Sequence, residues 1–190
     1  MRVAYQGEAG AYSEQAVFDY FGEVEAVPCA SFDAVFDSVV AGDCDAGMIP
    51  VENSITGKIQ PTHDLLSRSD LNIIGEYELR VRHCLISVPG VTISEIKKAT
   101  SHPQALMQSA KYLRSHGIQA EASYDTAGSV KLLKESGRRD TAAIASRRAA
   151  ELYGMKILEE GIEDDPQNYT RFLAIAKASI TPKDESQDAS

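Results

Sequence analysis

Residues 77–88, YELRVRHCLISV, change character halfway along, and this change decides the fold. In residues 77–83 charged residues occupy every second position, which predicts a strand with one face in solvent. Residues 84–88 contain no charged residue and predict a buried strand. One extended segment whose surroundings change midway predicts that the chain crosses here between two lobes.

Short apolar runs alternate with helical patterns on either side of that segment. Strands are predicted at residues 3–5, 24–27, 46–51, 118–122, 141–145, 155–158 and 170–176. Helices are predicted to begin near Ser13, Ser31, Pro103, Thr126 and Ser146, the last three ending at Gly117, Gly137 and Gly154. Repeated βα units predict an α/β fold with mostly parallel sheets, whose ligands lie beyond the carboxyl ends of the strands.

The charge balance excludes two classes of partner. The 190 residues include 19 Lys or Arg and 28 Asp or Glu, which gives a net charge of −9 at pH 7. Nucleic acid and anionic membranes both require a cationic surface, whereas a small anionic ligand needs only the local field of a cleft. No apolar run approaches the ~18 residues of a membrane-spanning helix, and the first residues lack the apolar region of a signal peptide. We therefore expect a cytoplasmic protein.

Neither the cysteines nor the histidines are spaced as metal ligands. Cys29, Cys44 and Cys84 form no Cys-x-x-Cys pair, and the four histidines show no ligand spacing. Residues 7–10, GEAG, do not match the dinucleotide-binding pattern, and the sequence contains no P-loop and no nucleophile elbow. We therefore expect neither a zinc site nor a disulfide framework, and a dinucleotide-binding site lacks support.

Residues that offer a hydroxyl group, a side-chain amide or a main-chain N–H group cluster where predicted strands end and helices begin. They are Tyr12, Ser13, Asn53, Ser54, Ser101, Thr126, Ala127, Gly128 and Ser146. Several helix N-termini around one cleft suit a carboxylate or a phosphate. Each residue can equally be an ordinary helix N-cap, and Ser146 fits that simpler interpretation best.

Three segments carry denser chemistry than the rest. Residues 49–57, IPVENSITG, end a strand with Glu52, Asn53 and Ser54 and reach Gly57, while residues 101–106, SHPQAL, are followed by Gln108 one turn later. In the third, NYTRF, Asn168 precedes a strand in which Thr170 and Phe172 face one way and Arg171 the other. We expect Thr170 to point into the cleft and Arg171 to pair with a carboxylate of the ligand or of the protein.

Seven segments together make the chain resemble the catalytic domain of the prephenate dehydratase family, which includes the plant arogenate dehydratases. They follow the order and spacing of that family over residues 3–177, and the most specific are the Glu-Asn-Ser and Thr-Arg-Phe motifs. In chain order they are residues 4–7 with 10–13, 50–54 with 57, 83–85, 101–104 with 108, 125–128, 142–146 and 168–172.

The resemblance implies a fold and a reaction. The fold is that of type II periplasmic binding proteins, two α/β lobes with the site between them. We expect residues 1–79 and 168–179 to form one lobe, and residues 80–167 the other. The reaction removes water and carbon dioxide from a cyclohexadiene, and because aromatisation drives it, no cofactor is implied. The two lobes are expected to close on the substrate and exclude water.

The resemblance also implies roles for residues. Thr170 is the favoured donor to the leaving hydroxyl; Glu52, the one titratable acid in its motif, is either an alternative proton source or a residue that orients Asn53 and Arg171. Arg171 is expected to pair with a carboxylate. Asn53 is grouped with Thr170 and Glu52 as a catalytic candidate and is expected to contact polar groups of the substrate. The other candidates for substrate contacts are Tyr12, Ser13, Ser54, Gly57, Ser101, Gln108, Thr126, Ala127, Gly128, Asn168 and Phe172.

The chain departs from the family pattern at its end. Segments typical of the family's phenylalanine-binding ACT domain are absent, and residues 180–190 form a polar stretch that we expect to be a flexible tail or the start of a linker. We therefore expect no inhibition by phenylalanine. The sequence leaves open whether the substrate is prephenate or arogenate. It also leaves open whether the chain forms a homodimer and whether it comes from a plastid or from a bacterium. The competing class of function is a non-catalytic binding module.

Overall fold

The structure, a computed structural model, describes residues 1–177. Its strands are β1 (Arg2–Gln6), β2 (Glu25–Cys29), β3 (Ala46–Asn53), β4 (Gly57–Lys58), β5 (Asn72–Arg80), β6 (Cys84–Ser87), β7 (Lys98–Ser101), β8 (Gln119–Ala122), β9 (Thr141–Ala145), β10 (Lys156–Glu160) and β11 (Tyr169–Ala176). Its α-helices are α1 (Tyr12–Phe21), α2 (Phe32–Ala41), α3 (Gln60–Arg68), α4 (Pro103–Gln108), α5 (Ala110–Ser115), α6 (Thr126–Ser136) and α7 (Arg147–Tyr153). The predicted tail, residues 180–190, lies outside the described residues.

The strands form two sheets, which confirms the α/β class. One sheet has the order β2-β1-β3-β11-β5, with β4 paired to β3, and the other has the order β10-β6-β9-β7-β8. The expectation of mostly parallel sheets is wrong, because both sheets are mixed. β1 pairs in parallel with β2 and β3, and β7 with β8 and β9, whereas β5, β6, β10 and β11 pair antiparallel. β5, β6, β10 and β11 are the strands on either side of the two passages of the chain between the sheets.

The segment that changes character does pass from one sheet to the other. β5 ends at Arg80 in the first sheet and β6 begins at Cys84 in the second. The linking residues lie beside the segment that returns to the first sheet, since the Val81 amide donates to the carbonyl of Asn168 at 2.7 Å. Burial alternates as the sequence predicts, with Val81 and His83 buried and Arg80 exposed. The two crossings therefore run side by side between the sheets.

The helix starts follow capping chemistry. Ser31 and Ser146 accept from the amides of Ala34 and Ala149, as N-caps do, and Asp125 rather than Thr126 caps α6. The helix predicted from Pro103 to Gly117 is two short helices that meet at Ser109, residues 103–108 and 110–115.

A shared hydrophobic core joins the two sheets on the side of α1, α6 and α7. Tyr5 and Met48 of the first sheet belong to the same buried cluster as Ile86 and Ala145 of the second. No helix within residues 1–177 has the length and apolar character needed to cross a bilayer. Within the first sheet, antiparallel pairing places the start of β11 beside the end of β3.

Candidate active site

A cleft of about 840 Å³ is lined by strands of the first sheet, by loop residues next to the strands of the second sheet, and by helices of both. Several predicted site residues line it. They are Tyr12, Ser13, Asn53, Gln108, Thr126, Thr170 and Phe172. The first sheet contributes the floor, through the last residues of β3 and the first residues of β11.

Thr170 places a hydroxyl group in this floor, and its neighbours hold it in position. β3 and β11 place it directly opposite Asn53, and it is 8% exposed. The Asn53 side-chain amide donates to Thr170 Oγ1 at 3.0 Å. Within residues 1–177 the Thr170 hydroxyl makes no hydrogen bond as a donor, so its proton is available to a molecule in the cleft. Phe172, 1% exposed, lines the cleft beside it.

A chain of hydrogen-bonded side chains runs along the cleft from Asn53, at the end of β3, to Tyr12 on α1. Asn53 donates to Asn168 Oδ1 at 2.8 Å, and the Asn168 amide donates to Gln108 Oε1 at 3.1 Å. His83 Nε2 lies 2.8 Å from the same Gln108 oxygen, and His83 Nδ1 lies 2.9 Å from the Tyr12 hydroxyl. Asn168 is fully buried and His83 is 2% exposed. The chain joins both crossings to α1 and α4.

Burial sets the protonation of two members of this chain. It lowers the pKa of His83, opposed by the hydrogen bond to Gln108 and the charge of Glu163, whose carboxylate accepts from the His83 main-chain amide. It also raises the pKa of Tyr12 well above its usual value, with smaller contributions from Cys84 and Glu163. Near neutral pH the imidazole is therefore uncharged and the Tyr12 hydroxyl keeps its proton.

Glu52 and Arg171 lie together on the opposite face of the sheet. Arg171 contacts Glu52 at 3.3 Å and Glu76 at 3.3 Å, and the three side chains are between 38% and 55% exposed. Neither Glu52 nor Arg171 lines the cleft. The structure thus pairs Arg171 with carboxylates of the protein, and it leaves Glu52 without the burial that would favour it as a proton source.

The remaining predicted residues shape the wall without lining the cleft. Ser54 accepts from the Tyr169 amide and donates to the carbonyl of Gln167, and the buried Ser101 hydroxyl donates to the carbonyl of Ile144 at 2.6 Å. Gly57 has a φ of 82°, which suits the turn between β3 and β4. Ala127 is fully buried in the core.

The amides at the start of α6 are less open than the sequence suggested. The Gly128 amide donates to Asp125 Oδ1 at 2.6 Å, so it is already occupied by the cap. A Cβ at Gly128 would come within 2.3 Å of the Tyr124 hydroxyl. Gly128 therefore leaves room for Tyr124, a cleft-lining side chain.

Sequence reasoning missed several polar residues that line the cleft. They are Asp33, Lys58, His102, Gln104, Tyr124 and Asp125. Lys58 is the single Lys or Arg among the lining residues of the described chain, and the signal for it was its position directly after Gly57. Burial raises the pKa of Asp125, countered by the Gly128 amide and by nearby His102. The Gln104 amide donates to Thr56 Oγ1 at 3.2 Å across the cleft mouth.

These donors suit an anionic organic molecule better than a metal ion. Among residues 1–177 no group of three or more His, Cys, Asp or Glu side chains is placed to hold a metal. Thr170 and Gln108 present neutral donors and Lys58 a cation, while Phe172 offers an apolar floor. Such a site can bind carboxylates, contact a ring and stabilise a leaving oxygen.

Comparison with known proteins gives a consistent result. Residues 3–180 match the family described as prephenate dehydratase. The chain is 45% identical over 185 residues to "Arogenate dehydratase/prephenate dehydratase 6, chloroplastic" of Arabidopsis thaliana. The match covers 96% of this chain and 45% of that protein. It spans a little under half the length of the curated relatives it matches.

Two solved structures share the fold closely. Prephenate dehydratase from Arthrobacter aurescens, in complex with L-Phe, has a TM-score of 0.87 at 28% identity, covering 96% of this chain and 62% of its own. GqqA, described as a novel type of quorum quenching acylase, also has a TM-score of 0.87, at 34% identity, covering 95% of this chain and 66% of its own.

Proposed function

Because the chain belongs to the prephenate dehydratase family, we propose that it catalyses the decarboxylating dehydration of prephenate to phenylpyruvate, a carbon–oxygen lyase reaction of phenylalanine biosynthesis. The ring carboxylate leaves as carbon dioxide, its bonding electrons enter the ring, and hydroxide leaves from the opposite carbon. One proton, taken up from the solvent, converts that hydroxide to water. The enzyme must therefore hold carboxylates and stabilise the charge that develops on the leaving oxygen.

The observation that supports this proposal is that the Thr170 hydroxyl has an occupied oxygen and a free proton. Its oxygen accepts from Asn53 at 3.0 Å, which leaves its proton free to donate to the leaving hydroxyl. A hydroxyl is a weak acid, so this contact acts as a strong hydrogen bond rather than as delivery of a free proton. Asn53 holds Thr170, Phe172 supports the ring, and Gln108 and Thr126 donate to the polar groups of the substrate.

The predicted residues outside the cleft take supporting roles in this proposal. Arg171 and Glu52 stabilise the sheet on its other face, so Thr170 is favoured over Glu52 as the group that acts on the leaving hydroxyl. Asn168 acts behind the wall. Tyr12 and Ser13 bring the N-terminus of α1 to the cleft, whereas Ser54, Gly57, Ser101, Ala127 and Gly128 set the course of the backbone around it.

The two lobes are proposed with the bounds given above, residues 1–79 with 168–179 and residues 80–167. The membership of the two sheets supports this division. We propose that the lobes close on the substrate, with the contact between Gln104 and Thr56 near the line of closure. Small-angle scattering with and without a competitive inhibitor tests this. A radius of gyration that stays unchanged would contradict closure.

A turnover assay with prephenate and arogenate side by side tests the function. Phenylpyruvate formed from prephenate supports the proposal, and phenylalanine formed only from arogenate makes the chain an arogenate dehydratase. Folded protein whose melting temperature rises with prephenate but that forms no product favours the binding module. Thr170→Val serves as the matched inactive variant, since it keeps the shape of the side chain without its hydroxyl.

The acylase description attached to GqqA does not change this choice. An acylase of the covalent type needs a nucleophile within hydrogen-bonding distance of its base. In the described cleft no Ser or Thr hydroxyl contacts a histidine ring: His83 contacts Tyr12 and Gln108, and His102 Nδ1 accepts from the Gln104 amide. The dehydratase reaction needs no such pair.

Location and assembly are proposals of the same kind. Plant relatives carry the word chloroplastic in their names, and we propose the plastid stroma for a plant source and the cytoplasm for a bacterial one. We further propose that the chain forms a homodimer. Light scattering of the protein as it elutes from a size-exclusion column would measure the mass of the particle directly.

A further inference from the structure

The orientation of the Asn53 side chain is fixed by the main chain. Its Oδ1 accepts from the amides of Ile55 at 3.0 Å and Thr56 at 3.1 Å. Main-chain N–H groups can only donate, so the Asn53 oxygen must face them and its NH2 group must face the other way. That NH2 group lies against Asn168 Oδ1 and Thr170 Oγ1.

The orientation of the Asn53 amide determines the orientation of the next side-chain amide, that of Asn168. Asn168 receives on its oxygen, so its own NH2 group faces Gln108, and the Gln108 atom 3.1 Å away must be the oxygen. A flipped Gln108 would place its NH2 group against the NH2 group of Asn168. The orientation set at Ile55 and Thr56 in one lobe thus determines that of Gln108 on α4.

The next side chain in this series of hydrogen bonds is His83. Gln108 Oε1 can only accept, so His83 Nε2, at 2.8 Å, must carry the proton. Nδ1 is then bare and can accept the one proton of the Tyr12 hydroxyl, which lies 2.9 Å from Nδ1 and 2.9 Å from the carbonyl of Arg82. We infer that His83 is a positioning residue, held as the Nε2–H tautomer by the relay from Asn53 through Asn168, and that it locks Gln108 with its NH2 group toward the cleft.

The consequence is a site with two donors of fixed direction. With its oxygen bound by His83 and Asn168, Gln108 turns its NH2 group to the cleft that it lines. The same relay takes up the oxygen of Thr170 and leaves its proton free. Both donors then face an anionic substrate without reorienting during the reaction, which is the arrangement that stabilises developing negative charge best. This part rests on the proposed function, whereas the tautomer of His83 does not.

The tautomer is measured first, by nitrogen NMR of the substrate-free protein at about pH 8, well above the ordinary histidine pKa of about 6.5. The nitrogen shifts distinguish a protonated from a bare ring nitrogen. We expect the His83 proton on Nε2. A proton on Nδ1 in the wild-type protein would overturn the inference without any variant.

Asn168→Asp then tests the relay. The ionised carboxylate introduced at this position still accepts from Asn53 but has nothing to donate, so Gln108 must turn its NH2 group toward it and therefore also toward His83 Nε2. We expect the His83 proton to move to Nδ1, where it donates to the Tyr12 oxygen while the Tyr12 hydroxyl donates to the carbonyl of Arg82, 2.9 Å away. A carboxyl that keeps its proton at this buried position would donate to Gln108 as Asn168 does, so its carbon chemical shift is recorded at the same pH. If Nε2 keeps its proton in folded Asn168→Asp whose introduced carboxyl is ionised, the relay does not exist.

A matched control is Asn72→Asp, which changes an exposed amide that donates to the carbonyl of Lys177 at the far end of the sheet. It should leave both the His83 tautomer and turnover as in the wild type. Asn168→Asp should lower kcat about 10²-fold, as loss of one preorganised donor does. Wild-type kcat in Asn168→Asp with a changed tautomer would contradict the positioning role. A wild-type chain without turnover would count against the proposed function alone.

Discussion

The Asn53 amide donates to the Thr170 hydroxyl oxygen across 3.0 Å, and the two residues stand directly opposite each other on β3 and β11. Sheet register alone therefore brings the ends of the two most specific sequence motifs into contact. Because Asn53 occupies the oxygen, the Thr170 proton must find its acceptor elsewhere, and the cleft is the space in front of it. The two motifs act as one unit that presents a single donor.

Thr170→Val removes that donor while preserving a β-branched side chain that suits a strand. We expect kcat for the preferred substrate to fall by about 10²–10³-fold, the cost of losing one oxyanion-type donor. Asn53 keeps its other acceptors, Asn168 Oδ1 and the carbonyl of Tyr169, so the fold should persist. Thr170→Ser, which restores a hydroxyl, should recover most of the lost turnover. Turnover of Thr170→Val equal to that of Thr170→Ser would contradict the role.

Glu52→Gln tests the alternative proton source. The Glu52 side chain is 45% exposed and paired with Arg171 on the face away from the cleft. We expect kcat to stay within about twofold of wild type and stability to change by no more than about 1 kcal/mol, as for exposed ion pairs. Glu76→Gln, which breaks the other contact of Arg171, is the matched control. Loss of most kcat at every pH in Glu52→Gln alone would instead make Glu52 the acid.

Local patterns predicted most of the elements. Alternation over residues 77–83 placed the crossing, and Ser31 and Ser146 cap the expected helices. α3 was missed because residues 60–68 contain only two apolar side chains besides proline, although Pro61 in its first turn is a start signal. The direction of pairing was also missed, since strand patterns do not report whether a neighbour is parallel or antiparallel.

Part of the candidate site could also be predicted from the sequence, and part of it could not. The sequence motifs contain Asn53, Thr170 and Gln108, which line the cleft from the end of β3, the start of β11 and the end of α4. They do not reveal that Arg171 faces protein carboxylates, which depends on partners far along the chain. Nor do they reveal the role of His83, whose contacts with Tyr12 and Gln108 arise only where α1 and α4 meet the crossing. Long-range contacts of this kind are set by tertiary packing rather than by spacing.

His83 should also make stability depend on pH. Burial lowers its pKa, despite the raising effects of Gln108 and Glu163, so between the lowered value and about 6.5 the unfolded chain binds more protons than the folded one. Stability is therefore lost as the pH falls through this window, with a slope of up to about 1.4 kcal/mol per pH unit. His83→Gln keeps a donor toward Gln108 but cannot titrate.

Urea denaturation at about pH 7 and about pH 5 measures this dependence. The loss of stability on acidification should be smaller in His83→Gln than in wild type. Exposed His116, which stacks on Tyr112, supplies the control variant His116→Gln, whose loss should match that of the wild type. Equal losses in all three proteins would show that His83 is not the group responsible.

Gly10 joins the loop before α1 to α7 and allows no side chain. Its φ is 93°, and a Cβ there would lie 2.9 Å from Ala149 Cα, while the Ser146 hydroxyl donates to its carbonyl at 2.7 Å. Gly22 also has a positive φ, 72°, but nothing lies within 4 Å of its added Cβ. We expect Gly10→Ala to cost at least about 2 kcal/mol more than Gly22→Ala, because a clash with backbone adds to the strain.

The same substitution should weaken the site, since Tyr12 follows Gly10 by two residues and lines the cleft. Pushing the loop away from α7 moves the Tyr12 hydroxyl from His83, so kcat/KM should fall in Gly10→Ala and stay near wild type in Gly22→Ala. Urea denaturation and turnover of the two variants provide both readouts. Equal unfolding free energies would mean that the approach to Ala149 relaxes at little cost, and unchanged kcat/KM in folded Gly10→Ala would separate this loop from the chemistry.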